Sequence, residues 1–162
     1  MGVLTEEVQA AVGDIRLCFA STASRDGEPN VSPKGSLCIL DCDHLAFADI
    51  ASLRTIANLR VNPRIEISMI DQLSRRGFRF NGTVTILKSG VILNKVATEM
   101  WEHEGPEVPV HHVVQVHVLE AGEVLSPAYI LNRDLNTEEL KTVWLKRYGY
   151  ERLEQQMGLC QA

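Results

Sequence analysis

Two neighbouring segments of the chain carry the side chains best suited to bind a phosphate group. Ser52, Arg54 and Thr55 stand at the start of a predicted helix that directly follows a predicted strand. The first turn of a helix has free backbone N–H groups and the positive end of the helix dipole, so it attracts anions. Lys34, in a neighbouring predicted strand, would add a second cation to that of Arg54. The spacing therefore predicts a site for a phosphorylated ligand.

Each of these residues also has an ordinary structural role. Ser52 is a typical helix N-cap, and Lys34 and Arg54 are also compatible with solvated surface charges. Pro33 and Gly35, which flank Lys34, are typical of a strand edge or a bulge. The residues favour a phosphate site only as a set, and they leave the identity of the ligand open.

The elements that must position these residues alternate between strands and short helices. Hydrophobic periodicity predicts strands at 15–23, 30–40, 44–48, 64–70, 77–87 and 110–125, and helices at 4–12, 52–61, 91–103 and 136–148. Asp26-Gly27 is a strong hairpin signal, and most other turns are also of hairpin length. This order predicts a mainly β, α+β protein built on an antiparallel β-barrel, and it disfavours a doubly wound α/β fold.

The composition is that of an ordinary globular protein. The 162 residues, with 45% hydrophobic and 23% charged, fit a single domain over 1–162. The formal net charge of -5 gives no basic footprint for nucleic acid. Apolar runs are too short for a membrane span, and the first residues lack the features of a signal peptide. We therefore expect a cytoplasmic protein with neither a nucleic acid nor a membrane as partner.

The cysteines and histidines do not form a metal-binding pattern. The four cysteines contain no C-x-x-C pair, so we expect free thiols and no metal. His111 and His112 are adjacent in a predicted strand, and their side chains must point to opposite faces of the sheet. A pair at the edge of a strand is a better interpretation than metal or haem ligation.

Several segments in order resemble the pyridoxamine 5′-phosphate oxidase-like superfamily. Residues 19–36 and 45–65 are similar to its opening strands and first inserted helix. Gly77-Phe-Arg-Phe-Asn-Gly-Thr-Val resembles the next strand of the family, and Ser126-Pro-Ala-Tyr129 is similar to the ending of small FMN-binding members. The resemblance covers roughly residues 10–130. It implies a six-stranded antiparallel split β-barrel with short peripheral helices, which binds FMN at the interface of a homodimer.

The resemblance also implies which residues contact the cofactor. The phosphate contacts of the family fall on Lys34, Ser52, Arg54 and Thr55, with Asn58 a weaker candidate one turn further along. The contacts to the flavin ring fall on Ser32, Pro33, Lys34, Gly35, Ala48, Asp49 and Ile50.

Two further residues are candidates for reaching the flavin across the dimer. Trp101 lies on a predicted helix, where packing is the ordinary alternative. Arg76 lies in a predicted turn, where a solvated charge is the alternative, and it would bring positive charge to the cofactor.

The resemblance implies a flavin-dependent oxidoreductase that reduces a small acceptor, with NAD(P)H as a possible electron donor. A non-catalytic flavin-binding or electron-carrier protein and a deazaflavin-dependent relative are the alternatives. Neither the basic substrate-phosphate site nor the C-terminal segment of the oxidase proper is recognisable, and Ala48-Asp49 replaces its tyrosine–threonine type pair. We therefore do not expect oxidation of vitamin B6.

Overall fold

The structure is a computed structural model in which residues 2–150 are described. Within them the chain forms, in order, α1 (Glu6–Asp14), β1 (Cys18–Ala23), β2 (Pro29–Lys34), β3 (Cys38–Ile39), β4 (His44–Asp49), α2 (Leu53–Val61), β5 (Arg64–Ile70), β6 (Arg76–Leu87), α3 (Val91–Glu104), β7 (His112–Leu125), α4 (Pro127–Leu131) and α5 (Thr137–Tyr148). Contacts divide the described chain into two compact units. The larger contains the residues up to Met69 and Phe78–Glu123, and the smaller contains Ile70–Gly77 and the residues from Val124 onward. The single domain expected from the length stays a prediction.

The strands form one curled sheet in the order β2-β1-β5-β6-β7-β4-β3. β1 pairs antiparallel with β2 and with β5, and β4 pairs antiparallel with β3 and with β7. The arrangement is a split β-barrel with short helices, which confirms the predicted fold class.

The sheet has seven strands where the sequence predicts six. The predicted strand at 30–40 is divided in two, because β2 pairs with β1 while β3 pairs with β4. These two short strands lie at opposite ends of the strand order, so the chain must cross between them at residues 35–37. The short helix α4 is also absent from the predicted elements.

Strand β4 is central to the larger unit, because it is buried on both faces. Leu45 and Phe47 point into the main hydrophobic cluster, and Ala46 and Ala48 pack in a second cluster with Val96 and Met100 of α3. The small alanine side chains leave room for the helix to pack against the strand. Beyond Asp49, the chain continues directly from β4 into the short segment that leads to α2.

The smaller unit is organised around Arg75. This residue has a φ of 57°, in the left-handed region. Its guanidinium lies 3.5 Å from the centroid of the Trp144 ring, and its Nη2 donates a hydrogen bond of 2.9 Å to Tyr148 Oη. Tyr129 donates from its hydroxyl to the carbonyl oxygen of Ser74 at 2.6 Å. One arginine thus joins the turn before β6 to two aromatic residues of α5.

Replacing Arg75 with alanine should loosen α5, because it removes the cation–π contact and the bond to Tyr148. We expect the free energy of unfolding to fall by about 1 kcal/mol and the emission of Trp144 to shift to longer wavelength. The measurement is tryptophan fluorescence and urea unfolding in a Trp101→Phe background. Arg133→Ala, at an exposed arginine of the same unit, is the control. Equal behaviour of the two variants would show that Arg75 does not hold the helix.

Candidate functional site

A cavity of about 1110 Å³ opens in the larger unit. Its walls come from β2 and the segment after it, from the end of β4 and the turn before α2, and from α1 and α3. Several of the residues predicted to bind a cofactor lie on this wall: Ser32, Pro33, Lys34, Gly35, Ala48, Ile50 and Ser52. The two segments singled out by the sequence therefore meet at one cavity.

Lys34 supplies a buried cation to the wall of this cavity. The side chain is only 7% exposed. Its Nζ donates to Ser32 Oγ at 2.6 Å, to Ser52 Oγ at 2.5 Å and to the carbonyl oxygen of Pro33 at 3.3 Å. Burial lowers the pKa of Lys34, and the negative charge of Asp49 acts in the opposite direction. Lys34 thus joins the end of β2 to the first residue before α2.

The turn between β4 and α2 is held by Asp49. This carboxylate is buried, and its Oδ1 accepts a hydrogen bond of 3.0 Å from the backbone N–H of Ser52. Its Oδ2 lies 3.0 Å from Nδ1 of His112, the residue opposite Asp49 in the β4–β7 ladder. Ser52 makes no side-chain cap bond to α2, and its hydroxyl faces Lys34 instead. The carboxylate of Asp49, which is predicted to contact a flavin ring, therefore stabilises this turn.

Thr55 and Asn58 belong to a buried polar network that holds α2 against β1 and β2. Asn58 Nδ2 donates to Thr22 Oγ1 at 3.2 Å. Asn30 Nδ2 donates to Thr22 Oγ1 at 3.1 Å and to Thr55 Oγ1 at 3.2 Å. Neither Thr55 nor Asn58 occurs among the described residues on the cavity wall. The network fixes the position of the helix whose N-terminus meets Lys34.

Replacing Asn58 with alanine should therefore cost stability. Loss of the amide leaves part of the buried network without a partner, so we expect the free energy of unfolding to fall by about 1–3 kcal/mol. Chemical denaturation measures this change. The exposed Asn132→Ala serves as a comparison, with little expected effect. A stable Asn58→Ala protein with weakened binding of a phosphate ligand would instead favour the direct contact that the family resemblance implies.

The remaining predicted residues lie elsewhere. Arg54 pairs with Glu28 at 2.7 Å, and both side chains are largely exposed. Trp101 Nε1 donates to the carbonyl oxygen of Val108 at 2.9 Å. The guanidinium of Arg76, in the smaller unit, lies 5.7 Å from the centroid of the Tyr129 ring. For these three residues, as for every other predicted site residue on or off the cavity wall, contact with a flavin stays a prediction.

The cavity also has walls that the sequence reasoning missed. Arg16 and Leu17 contribute from the segment between α1 and β1, and Glu99, Met100 and His103 contribute from α3. The apolar face of the predicted helix at 91–103 was a signal for packing, but no local pattern indicates that the helix borders a ligand cavity. His112 was assigned to a strand edge, and only the register of β4 with β7 brings it to Asp49.

Among residues 2–150 no group of three or more His, Cys, Asp and Glu side chains is arranged to hold a metal ion. In the same part of the chain no helix has both the length and the apolar character needed to span a bilayer.

Comparison with known proteins places this split barrel in a family. The family model described as pyridoxamine 5′-phosphate oxidase matches residues 4–125, and the chain belongs to that family. An uncharacterized protein from Methanocaldococcus jannaschii is 27% identical over 119 residues, which are 72% of this chain and 78% of the relative.

Solved structures share the fold, and two of them carry names that mention a bound molecule. An FMN-binding protein from Syntrophomonas wolfei subsp. wolfei has a TM-score of 0.69 at 16% identity, covering 76% of this chain and 87% of that one. The haem storage protein HutZ from Vibrio cholerae has a TM-score of 0.59 at 17% identity, covering 77% of this chain and 95% of that one. The fold is therefore shared by a protein named for FMN binding and one named for haem storage.

Proposed function

We propose that this protein binds FMN in the cavity of the larger unit, with the flavin phosphate held by Lys34 and the start of α2. The buried ammonium of Lys34 is the main support for this proposal. Its three hydrogen-bond acceptors are neutral oxygens, of Ser32, Pro33 and Ser52. The negative charge of Asp49 opposes the cost of burying this ammonium only in part, since burial still lowers the pKa of Lys34. A buried cation is costly unless an anion compensates it. A phosphate beside Lys34 and the helix N-terminus would supply that compensation.

The rest of the cavity also fits a flavin. Ligand pockets commonly measure about 300–1000 Å³, and this cavity, at about 1110 Å³, lies just above that range. Leu37, Ile50 and Val108 line the cavity, are partly exposed and offer apolar surface to a ring system. The backbone at Gly35 lies on the same wall. The FMN-binding protein from Syntrophomonas wolfei, which shares the fold, supports the same cofactor.

We propose further that the protein is an oxidoreductase acting on a small molecule, with NAD(P)H as a possible donor. Bound FMN would supply the hydride and electron transfer, while the protein binds and orients the reactants. In that role Lys34 and Ser52 hold the anionic end, and the apolar wall excludes water from the ring. The large cavity volume leaves room for a second molecule beside a flavin, which favours an enzyme over an electron carrier.

We propose a homodimer as the working form. Leu17, Phe19 and Val31 are 54%, 40% and 61% exposed, and Phe19 lies opposite Pro33 in the β1–β2 ladder. Leu17 and Pro33 also line the cavity, so this apolar surface continues to its rim. A second copy covering the surface would remove apolar area from water and close one side of the site. Sedimentation of Val31→Lys against the unmodified protein tests this, since the charge should shift the population to monomers.

The cofactor is tested by the visible spectrum of the purified protein and by mass identification of the molecule that heat releases. We expect a flavin spectrum and FMN at about one equivalent per chain. A haem spectrum would overturn the proposal in favour of haem, the molecule for which the Vibrio cholerae protein of the same fold is named. A released deazaflavin would favour the deazaflavin alternative. A colourless protein that takes up none of these would overturn the proposal.

A further inference from the structure

Asp49 connects two parts of the fold that are distant in sequence. It ends β4, it is only 4% exposed, and both of its carboxylate oxygens have partners. Oδ1 accepts from the backbone N–H of Ser52, and Oδ2 lies at hydrogen-bond distance from Nδ1 of His112 on β7. Asp49 and His112 are not among the described residues that line the cavity.

The contact with Ser52 has a consequence for the cavity. A serine before a helix usually turns its hydroxyl to the N–H groups of the first turn. In this chain the hydroxyl of Ser52 accepts from Lys34 Nζ at 2.5 Å and caps nothing. With its backbone N–H held by Asp49, Ser52 is fixed in the orientation that meets the lysine. A continuous series of contacts thus runs from His112 through Asp49 and Ser52 to Lys34.

The negative charge of Asp49, like its contact with Ser52, favours anion binding at Lys34. Burial lowers the pKa of Lys34, and the carboxylate of Asp49 raises it. Removing that negative charge should therefore lower the pKa of Lys34 further and reduce the fraction of ammonium available to an anion. Because Asp49 is directed toward Ser52 and His112, it supplies this charge from behind the cavity wall.

We infer that Asp49 and His112 are positioning residues for the anion-binding end of the cavity, acting on a ligand phosphate only through Ser52 and Lys34. This inference rests on the proposed function, and it adds the two residues that keep the site charged and oriented. His112 contacts Oδ2 of Asp49, so that Oδ1 remains directed at the backbone N–H of Ser52.

The test compares FMN with riboflavin, which has the same ring system and lacks the phosphate. Asp49→Asn keeps an oxygen for the Ser52 N–H and removes the charge. We expect its FMN affinity to fall about tenfold and its riboflavin affinity to stay unchanged. Asp41→Asn is the matched control. Asp41 Oδ1 also lies 2.9 Å from the Nδ1 of a histidine, His44, but Asp41 does not line the cavity. A double-mutant cycle with Lys34→Met should show that the two effects do not add.

The outcomes separate the inference from the proposed function. A wild-type protein that prefers FMN, with an Asp49→Asn variant that keeps the full preference, would overturn the inference and leave the proposed function intact. A wild-type protein without any preference for FMN would contradict the proposed phosphate site. An NMR titration of Lys34 Nζ in apo-protein gives an independent readout, because Asp49→Asn should move that titration to lower pH, and an unmoved titration would count against the inference.

A second variant keeps the inference testable if Asp49→Asn does not fold. His112→Asn leaves the carboxylate in place and removes the ring that contacts its Oδ2. We expect a fall of about threefold in FMN affinity, again with riboflavin unaffected. Equal losses for FMN and riboflavin would indicate general damage to the barrel and would count against a positioning role.

Discussion

Replacing Lys34 with methionine should weaken FMN binding about a hundredfold while riboflavin binding changes little. The substitution keeps most of the side-chain volume and removes the buried ammonium that faces Ser32 and Ser52. Among the groups of the ligand, only the phosphate loses a partner, so the two flavins should respond differently. Quenching of flavin fluorescence during titration of apo-protein measures both affinities. Lys88→Met, at an exposed lysine, is the control and should leave both affinities unchanged.

The same lysine predicts a pH dependence. Its pKa is lowered by burial, in spite of the opposing charge of Asp49, so the ammonium loses its proton at a lower pH than an exposed lysine does. The preference for FMN over riboflavin should therefore be present below that pKa and decline as the pH rises through it. In Lys34→Met the alkaline decline should disappear. A wild-type preference that is constant up to the ordinary lysine range would argue against a buried lysine as the phosphate ligand.

Replacing Gly82 with alanine should destabilise the larger unit by about 3 kcal/mol. A Cβ at this position would overlap the backbone carbonyl oxygen of His117 and approach a methyl group of Val116 at 2.9 Å. The carbonyl belongs to the paired backbone of β7, so it cannot move without disturbing the sheet. Urea unfolding followed by circular dichroism measures the change.

Gly122→Ala provides the matched control on β7. There the nearest atom to a new Cβ is Arg79 Nε at 3.6 Å, an ordinary contact with a flexible side chain. We expect a change below about 1 kcal/mol for this variant. If Gly82→Ala were as stable as Gly122→Ala, close approach of β6 and β7 would not be the reason for a glycine at position 82.

Local patterns were sufficient to predict most of the elements. Alternation of apolar residues indicated the strands, and the hairpin after Asp26-Gly27 leads directly into β2. The family resemblance supplied the split barrel, and the family match over residues 4–125 bears it out. These features depend on residues close together in sequence or on an ordered set of motifs. Local patterns and ordered motifs can both be recognised without coordinates.

The division of the predicted strand at 30–40 could not be read in this way. Residues 29–34 and 38–39 have similar strand-forming character, but their partners are β1 and β4 respectively. Which partner a strand takes depends on the closure of the whole sheet, because every strand must find a neighbour for its backbone groups. The hydrophobic pattern alone therefore predicts one strand where the strand pairing defines two.

For the site, the residue types of Lys34 and Ser52 indicate phosphate binding, with Ser52 at a strand-to-helix junction and Lys34 in a neighbouring strand. The tertiary structure adds that their side chains meet at 2.5 Å on one cavity wall, with Asp49 and His112 behind them. It also shows that Thr55 and Asn58 belong to a buried network. The physical reason is the register of β4 against β7 and the packing of α2 on β1 and β2. Both bring together residues tens of positions apart, and no local periodicity records such contacts.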